Sequence, residues 1–268
     1  MPLTPIAPGT TVSLTDAGAA PPPGSLSKGE ARKRLQQLGA RMHELQDALY
    51  AERTRALLVV LQGRDTSGKD GAIRRVFGAI DPQGLTVTSF AVPTPLELAH
   101  DFLWRVHQAV PARGRVGVFN RSHYEDVLAV RVHRLVPEAV WRPRYEQINR
   151  FERTLSENDT TVLKFFLHIS REEQRERLLA RLEEPTKYWK FSSGDLGERK
   201  LWDAYTQAYE EALARTATDV APWYVVPADK KYLRDLLVAE VVTDTLERLN
   251  PRFPGPPKGL EELRRELR

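Results

Sequence analysis

56-ALLVVLQGRDTSGKDG-71 joins a short apolar run to a loop carrying two glycines and a lysine. The run, 56-ALLVVLQ-62, has the Val and Leu content of a parallel strand buried on both faces. The loop 63-GRDTSGKDG-71 has the spacing G-x-x-x-x-G-K, and Ile73, Val76, Phe77 and Ile80 follow at helical intervals. Strand, glycine loop and helix in that order form the context in which this spacing binds phosphate. Backbone N–H groups at the turn and helix start attract anions. Gly63 and Gly68 permit backbone angles that a side chain forbids. Lys69 adds a positive charge, and Thr66 and Ser67 complete the cradle. The plainer reading, a strand-to-helix turn with a solvated lysine, has strand, loop and helix together against it.

Two aspartates make the loop unusual. Asp70 stands where such loops place the Ser or Thr that holds magnesium. At a helix start it favours the helix dipole, but beside phosphates it repels them unless it faces away. Asp65 lies inside the loop, where a carboxylate next to phosphate makes sense with magnesium between them. Its other reading is a turn-stabilising aspartate.

Upstream, residues 1–26 are rich in Pro, Gly, Ala and Thr and are expected to be a disordered tail. Ser27 and Glu30 have capping-box spacing, and a helix is expected from Lys28 to Arg53. Downstream, strands are expected at 85–92, 115–120, 160–170 and 222–228. Helices are expected at 96–110, 136–157, 171–183, 198–215 and 231–249, and residues 251–268 form a C-terminal tail. Ser170 and Glu173 give a second capping-box spacing. Strands alternating with helices predict an α/β fold, a parallel sheet of about five strands covered on both faces. The folded domain spans 27–250.

Composition narrows the function classes. The 268 residues suffice for one large α/β domain or two small ones. Cysteine is absent, which excludes thiolate zinc sites, disulfides and a cysteine nucleophile. There is no signal-like N-terminus and no apolar run approaching the ~20 residues of a membrane helix. The expectation is a cytoplasmic protein with no membrane partner. A net charge of +4 is weak evidence for a polyanionic partner.

Two further segments carry candidate chemistry. The strand ending at 118-VFNRSHYED-126 puts Asn120, Arg121, Glu125 and Asp126 at the carboxyl edge of the sheet, where ligands of open α/β sheets bind. Arg121 can grip a phosphate bidentately, and Glu125 can bind metal-bound water or place an acceptor. The plainer reading is a loop of surface charges. His123 is a chemically capable phosphohistidine nucleophile, although a lone histidine beside a site more often hydrogen-bonds. The third segment, 177-RLLARLEEPTKYWKFSSGD-195, carries Arg177, Arg181, Lys187 and Lys190. It is expected to be a lid, at about 177–197, that closes over phosphates. The plainer reading is a solvated helix end anchored to the core by Trp189.

Taken together, GRDTSGKDG, FNRSHYED and PTKYWKFSSGD resemble the polyphosphate kinase 2 family, with 101-DFLWRVHQAVPARG-114 and 222-PWYVVPADKK-231 extending the resemblance over about residues 28–250. The resemblance implies a P-loop kinase-like three-layer α/β/α fold with a helical lid. It implies phosphoryl transfer between inorganic polyphosphate and nucleotides with magnesium, for which manganese can substitute. It makes Asp65 the magnesium-associated carboxylate and Asp70 a free position. Many members read FDRSWYNR in the second motif. Asn120 and Glu125 depart from that and resemble the subgroup that phosphorylates both AMP and ADP. A metal role cannot simply be copied onto Asn120, and Glu125 is expected to restore the charge near the metal. Adenine nucleotides are the expected acceptors, guanine nucleotides a further option, and a homo-oligomer the expected assembly.

The expected chemistry is direct phosphoryl transfer, which needs positioning and charge neutralisation more than covalent help. Polyphosphate also calls for a basic groove, with Arg113, Arg115, Arg131, Arg134, Arg142 and Arg144 as candidates. One rival is an ATP-dependent nucleoside monophosphate kinase. Another is a non-catalytic nucleotide- or nucleic-acid-binding protein. The strands lack the stacking aromatics of single-strand binders, so no nucleic-acid partner is expected.

Overall fold

A computed structural model describes residues 3–268. The five strands are β1 (Ala56–Gln62), β2 (Leu85–Ser89), β3 (Val116–Asn120), β4 (Thr160–His168) and β5 (Trp223–Pro227). They form one all-parallel sheet in the order β2-β3-β1-β4-β5. Every residue of β1 is buried, as a central strand with both faces covered requires.

Alternation along β1 builds two cores. Leu57, Val59 and Leu61 face one layer, together with Leu163, Phe165 and Leu167 of β4. The helices of that layer are α1 (Lys28–Glu52), α2 (Lys69–Val76) and, late in the chain, Lys231–Leu249. Leu58 and Val60 face the opposite layer with Val162 and Phe166. That layer is made of α4 (Trp104–Ala109), α5 (Ala129–Val132), α6 (Glu138–Trp141), α7 (Arg144–Glu157) and, later in the chain, Trp202–Thr216, while the short α3 (Pro95–Leu98) buries no residue. The segment expected to be a lid, about 177–197, takes in the end of α8 (Arg171–Glu183), a 3-10 turn at Pro185–Lys190 and the start of α9 (Gly194–Lys200). The remaining helices are α10 (Trp202–Thr216), α11 (Lys231–Leu249) and α12 (Leu260–Glu266). The result is the expected three-layer α/β/α fold.

Three expected helices are broken. The stretch 96–110 splits into α3 and α4, and 136–157 into α6 and α7 at Pro143, which has no N–H to carry a helix through. The stretch 198–215 is interrupted at Leu201. Capping follows the sequence in one case and half-follows it in another. Ser27 and Glu30 cap α1 reciprocally. Ser170 accepts from the Glu173 N–H, but the Ser170 N–H is taken by Asp229 and Glu173 instead pairs with Arg177.

Residues 3–26 correct the expectation of disorder. The segment forms a strap that runs from the amino end of β5 to the carboxyl end of the sheet. The Ile6 N–H donates to the Trp223 carbonyl (2.8 Å), beside an edge strand with unpaired backbone groups. His168 Nε2 donates to the Thr15 carbonyl (2.8 Å), and Asp16 accepts from the Arg171 N–H at the start of α8 (3.3 Å). Ala19 is fully buried, and Ile6, Val12 and Leu14 pack against the second core. Composition misleads here because the strap needs no core of its own: its apolar residues are spaced to fit a surface already built. Among the described residues no helix is long and apolar enough to cross a membrane.

Deleting residues 1–20 therefore removes Ile6, Val12, Leu14 and the buried Ala19 from the surface they cover and unpairs the Trp223 carbonyl. A fall in Tm of roughly 4–10 °C is expected from the apolar area lost. Scanning calorimetry of the truncated and full-length proteins checks it, and an unchanged Tm would show the strap to be energetically idle.

Candidate active site

β1 and β3 run parallel with Leu61 opposite Asn120, so the glycine loop and the Arg121 segment leave the sheet side by side. The Arg121 N–H donates to the Leu61 carbonyl at 3.0 Å, fixing that register one residue further. Gly63 (φ 153°) leaves β1 where a Cβ would lie 2.7 Å from the Leu167 carbonyl oxygen. Gly68 (φ 95°) begins α2 where a Cβ would lie 1.8 Å from Arg234 Nη1. These are the two positions at which the loop admits only glycine.

Two non-glycine residues at the site also have left-handed backbones, Thr66 (φ 67°) and Arg121 (φ 62°). Each costs about 1–2 kcal/mol, so the surroundings must hold them. Thr66 and Ser67 are held through their carbonyls. Arg177 Nη1 donates to both (2.8 and 3.2 Å), and Arg234 Nη1 donates to Ser67 O (3.2 Å). Their hydroxyls, Thr66 Oγ1 and Ser67 Oγ, are buried without a partner.

Lys69 is buried and folds back on the loop, donating to the carbonyls of Gly63 (2.7 Å) and Arg64 (3.2 Å). Burial, helped by the nearby Arg121 charge, brings its ammonium down to about 8 despite Asp65, Glu125 and Asp70. Arg121 donates to Asp65 Oδ1 at 2.7 Å. Burial opposes its charge, but Glu125 and Asp65 outweigh that and hold the guanidinium more firmly charged than usual. Burial pushes the Glu125 carboxyl up, against the pull of Arg121 and Lys69. In the amide orientation that satisfies its neighbours, Gln62 donates to Glu125 Oε1 (3.1 Å) and accepts from the Ser122 N–H. Asp70 does not turn away from the cavities: it lines two of them, with its charge tied to Asn120 Nδ2 at 2.6 Å.

Three connected cavities meet here. The first, about 510 Å³, runs from Thr66, Gly68 and Gly71 to the lid, with eight Lys or Arg side chains against three acidic ones. The second, about 400 Å³, is walled by Asp65, Lys69, Asn120 and Arg121, and shares Asp70, Arg181 and Lys190 with the first. The third, about 300 Å³, lies beyond Asp65 and Arg121 and is lined by Glu125, His133, Glu198, Trp202, Tyr205 and Tyr209 among others.

The lid residues divide. Arg181, bound to the Lys190 carbonyl and to Asp195, faces the first two cavities, as does Lys190. Lys187 lines the first while pairing with Glu184. Arg177 borders that cavity too, but its donors are spent on loop and β5-end carbonyls, so it serves chiefly as a tether. Trp189 is 79% exposed and anchors nothing to the core. His123 is fully buried against Glu152 (3.3 Å) and cannot reach a substrate, which removes the phosphohistidine reading. The six arginines expected to form a basic groove, Arg113, Arg115, Arg131, Arg134, Arg142 and Arg144, line none of the three cavities. Arg74, Arg75, Lys231 and Arg234 supply the charge instead. The last two lie in 231-KYLRD-235, just past the carboxyl end of β5, and that position alone could have marked them.

Among the described residues no cluster of three or more acidic or histidine side chains forms a metal cage. Magnesium at phosphates needs only one or two carboxylates, and Asp65 and Glu125, both on the third cavity, are hard oxygen donors of that kind.

A parallel five-stranded sheet whose first strand ends in a phosphate loop, facing a lid rich in cations, defines a P-loop phosphotransferase. The sequence pattern of the polyphosphate kinase 2 family matches residues 25–254, and the chain belongs to that family. It is 53% identical over 236 residues to the AMP/ADP-polyphosphate phosphotransferase of Meiothermus ruber, covering 88% of each chain. It is 46% identical over 257 residues to the ADP-polyphosphate phosphotransferase of Rhodopseudomonas palustris, covering 90% of this chain and 89% of that one. The crystal structure of polyphosphate kinase 2 from Arthrobacter aurescens superposes with a TM-score of 0.93 at 42% identity, over 98% of this chain and 94% of that one.

The lowered ammonium of Lys69 carries a pH signature. A bound phosphate raises it again, so binding takes up a proton once the free protein has begun to lose it, and affinity falls as pH rises through about 8. Titration calorimetry with tripolyphosphate in buffers of different ionisation enthalpy should show uptake approaching about one proton at about pH 9 and little at about pH 7. Equal uptake at both would rule out Lys69 as the phosphate ligand.

Proposed function

We propose that the protein is a polyphosphate-dependent nucleotide phosphotransferase that transfers the terminal phosphoryl group of inorganic polyphosphate to AMP and ADP. One observation carries the reading: a middle cavity walled by Lys69, Asp65 and Arg121 shares Asp70, Arg181 and Lys190 with a strongly basic cavity on one side, and Asp65 and Arg121 with an aromatic-walled cavity on the other. A polyanionic chain suits the first, and a nucleoside suits the third, whose volume lies at the lower end of the roughly 300–1,000 Å³ usual for small-molecule sites. The middle cavity is where a terminal phosphoryl and a nucleotide phosphate would meet.

In the step itself the terminal P–O–P bond of polyphosphate breaks and a P–O bond to the nucleotide phosphate forms. The leaving group is the chain shortened by one phosphate, and reversal makes polyphosphate from ATP. The acceptor oxygen is already ionised, so no general base is required. Lys69, with the loop N–H groups, and Arg121 neutralise charge spread over the transferring group. Asp65 and Glu125 would hold magnesium, which when bound neutralises phosphate charge. Arg181 and Lys190 close the site from the lid and exclude water. Asn120, tied to Asp70, leaves Glu125 as the second charged group, and this pair supports the use of both AMP and ADP. The M. ruber relative, named for both acceptors, supports the same reading. A cytoplasmic location and homo-oligomeric assembly complete the proposal.

The pure protein incubated with AMP, magnesium and polyphosphate, without ATP, should form ADP and then ATP by chromatography. If only added ATP phosphorylates AMP, the protein is a nucleotide-dependent kinase and the reading fails. Lys69→Ala and Asp65→Asn should each lower kcat by about a thousandfold or more with the fold retained. Glu125→Asn should reduce AMP use more than ADP use, and equal losses would sink the role given to Glu125.

A further inference from the structure

Behind the site lies a group of charges that no step above uses. Lys164 projects from the middle of β4 into the second core and is fully buried. Its three donors are all engaged, by Glu152 Oε2 (2.6 Å), the Tyr124 hydroxyl (2.8 Å) and the Thr216 carbonyl (2.7 Å). Glu152, on α7 and equally buried, accepts from the Tyr124 hydroxyl (2.9 Å) and faces His123 Nε2 (3.3 Å) at its other oxygen. Phe151 and Trp223 pack edge-on against His123 and Tyr124 and seal the cluster from water.

Tyr124 and His123 belong to the 3-10 turn His123–Asp126, which also carries Glu125. Two residues before it, ahead of the N-cap Ser122, stands Arg121 with its left-handed backbone. A strained residue persists only where its surroundings over-determine it. On one side Arg121 is fixed by the Leu61 carbonyl. On the other, Ser122 Oγ accepts from the Tyr124 N–H (3.2 Å), and the Tyr124 and His123 side chains run down to the buried pair.

We propose that the Glu152–Lys164 pair is a positioning element for the reaction: through Tyr124 and His123 it holds the 121–126 segment so that Arg121 and Glu125 face the transferring phosphoryl group. The inference rests on the proposed function for its substrate, and on the geometry alone for the placement of Arg121. Burying an ion pair is costly, and apolar residues of similar size often serve stability as well or better. Directed bonds are what apolar residues cannot supply. The polar atoms of Lys164 and Glu152 and the Tyr124 hydroxyl each have a defined partner, while His123 is held through Nε2 alone, its Nδ1 being unpartnered, so Tyr124 is the main link that seats the turn on the core.

Two variants test this. Tyr124→Phe removes only the hydroxyl that links the turn to both charges. Glu152→Met with Lys164→Met replaces the pair by apolar side chains of similar volume. Both should keep a wild-type near-ultraviolet circular dichroism spectrum. Both should lose about tenfold or more in kcat, with KM for polyphosphate changed less than about threefold, as misplacement of a transition-state group predicts. A crystal structure of the double variant should show Arg121 moved off Asp65, now at 2.7 Å. A kcat within about twofold of wild type in a folded variant, or an undisturbed Arg121–Asp65 contact, overturns the proposal and leaves the pair a packing feature. If wild type itself transfers nothing from polyphosphate, the proposed function falls, and the crystallographic contact alone decides the positioning claim.

Discussion

The carbonyl of Ser67 accepts from two guanidiniums, Arg177 of α8 and Arg234 of α11. These cations come from the lid helix and the last long helix, so one backbone oxygen joins the phosphate loop to two distant parts of the chain. Gly68 follows directly, and the approach of Arg234 leaves no room there for a side chain. Arg177 carries the connection further, to the carbonyls of Ala228 and Asp229 beyond β5. The loop is therefore not a flexible turn that orders around its ligand. It is held in its strained shape by charge-assisted hydrogen bonds before any ligand arrives. Preorganisation of this kind spares the transition state the cost of reorganising its donors.

Local charge, rather than net charge, explains the partner. The whole chain is only +4, yet eight cations line the first cavity against three acids. The balance arises because arginines on other surfaces are neutralised by neighbours, as Arg113 is by Asp159 and Arg144 by Asp126. A cleft walled by unbalanced charge focuses the field and favours a polyanion at that place. Burial, helped by the Arg121 charge, depresses Lys69, while the carboxylates of Glu125 and Asp65 keep Arg121 charged against its own burial. Those carboxylates would repel phosphate on their own. Asp70 is tied to an amide and Asp65 to a guanidinium, and a divalent cation at Asp65 and Glu125 would turn the remaining repulsion into attraction.

Local order made much of this legible in the sequence. The strands, the glycine loop and the segment after β3 are each written in contiguous residues, and parallel α/β topology brings strand ends together by rule. What was missed depends on facing elements. The place of Arg234 past the end of β5 is legible, but its contact with the loop is not, because the packing of α11 against α2 makes it. Lys164 sits inside 160-TTVLKFFLHIS-170 and reads there as one polar interruption of an apolar run. Its partner Glu152 reads as one more charge on a polar helix, and nothing local pairs them. The strap at residues 3–26 was misread because composition scores what a segment can bury by itself. Here the buried surface belongs to β5 and α10, against which Ile6 and Leu14 are laid.

The lid follows from the same exchange of partners. Arg181 spends its guanidinium on the Lys190 carbonyl and on Asp195, which lie in the lid itself. Lys187 is paired with Glu184, while Lys190 rests over the exposed ring of Trp189. These contacts hold the lid's shape at partly exposed positions, where ion pairs contribute little. A phosphate chain offers each of these cations a more highly charged partner at small cost, since the bonds given up are weak. Arg177 differs: its donors are committed to buried carbonyls, and releasing them would free the loop as well. The lid can thus rearrange its tip around a substrate while its root stays fixed to the phosphate loop. That division between an exchangeable tip and a fixed root is what a closing lid over a preorganised site requires.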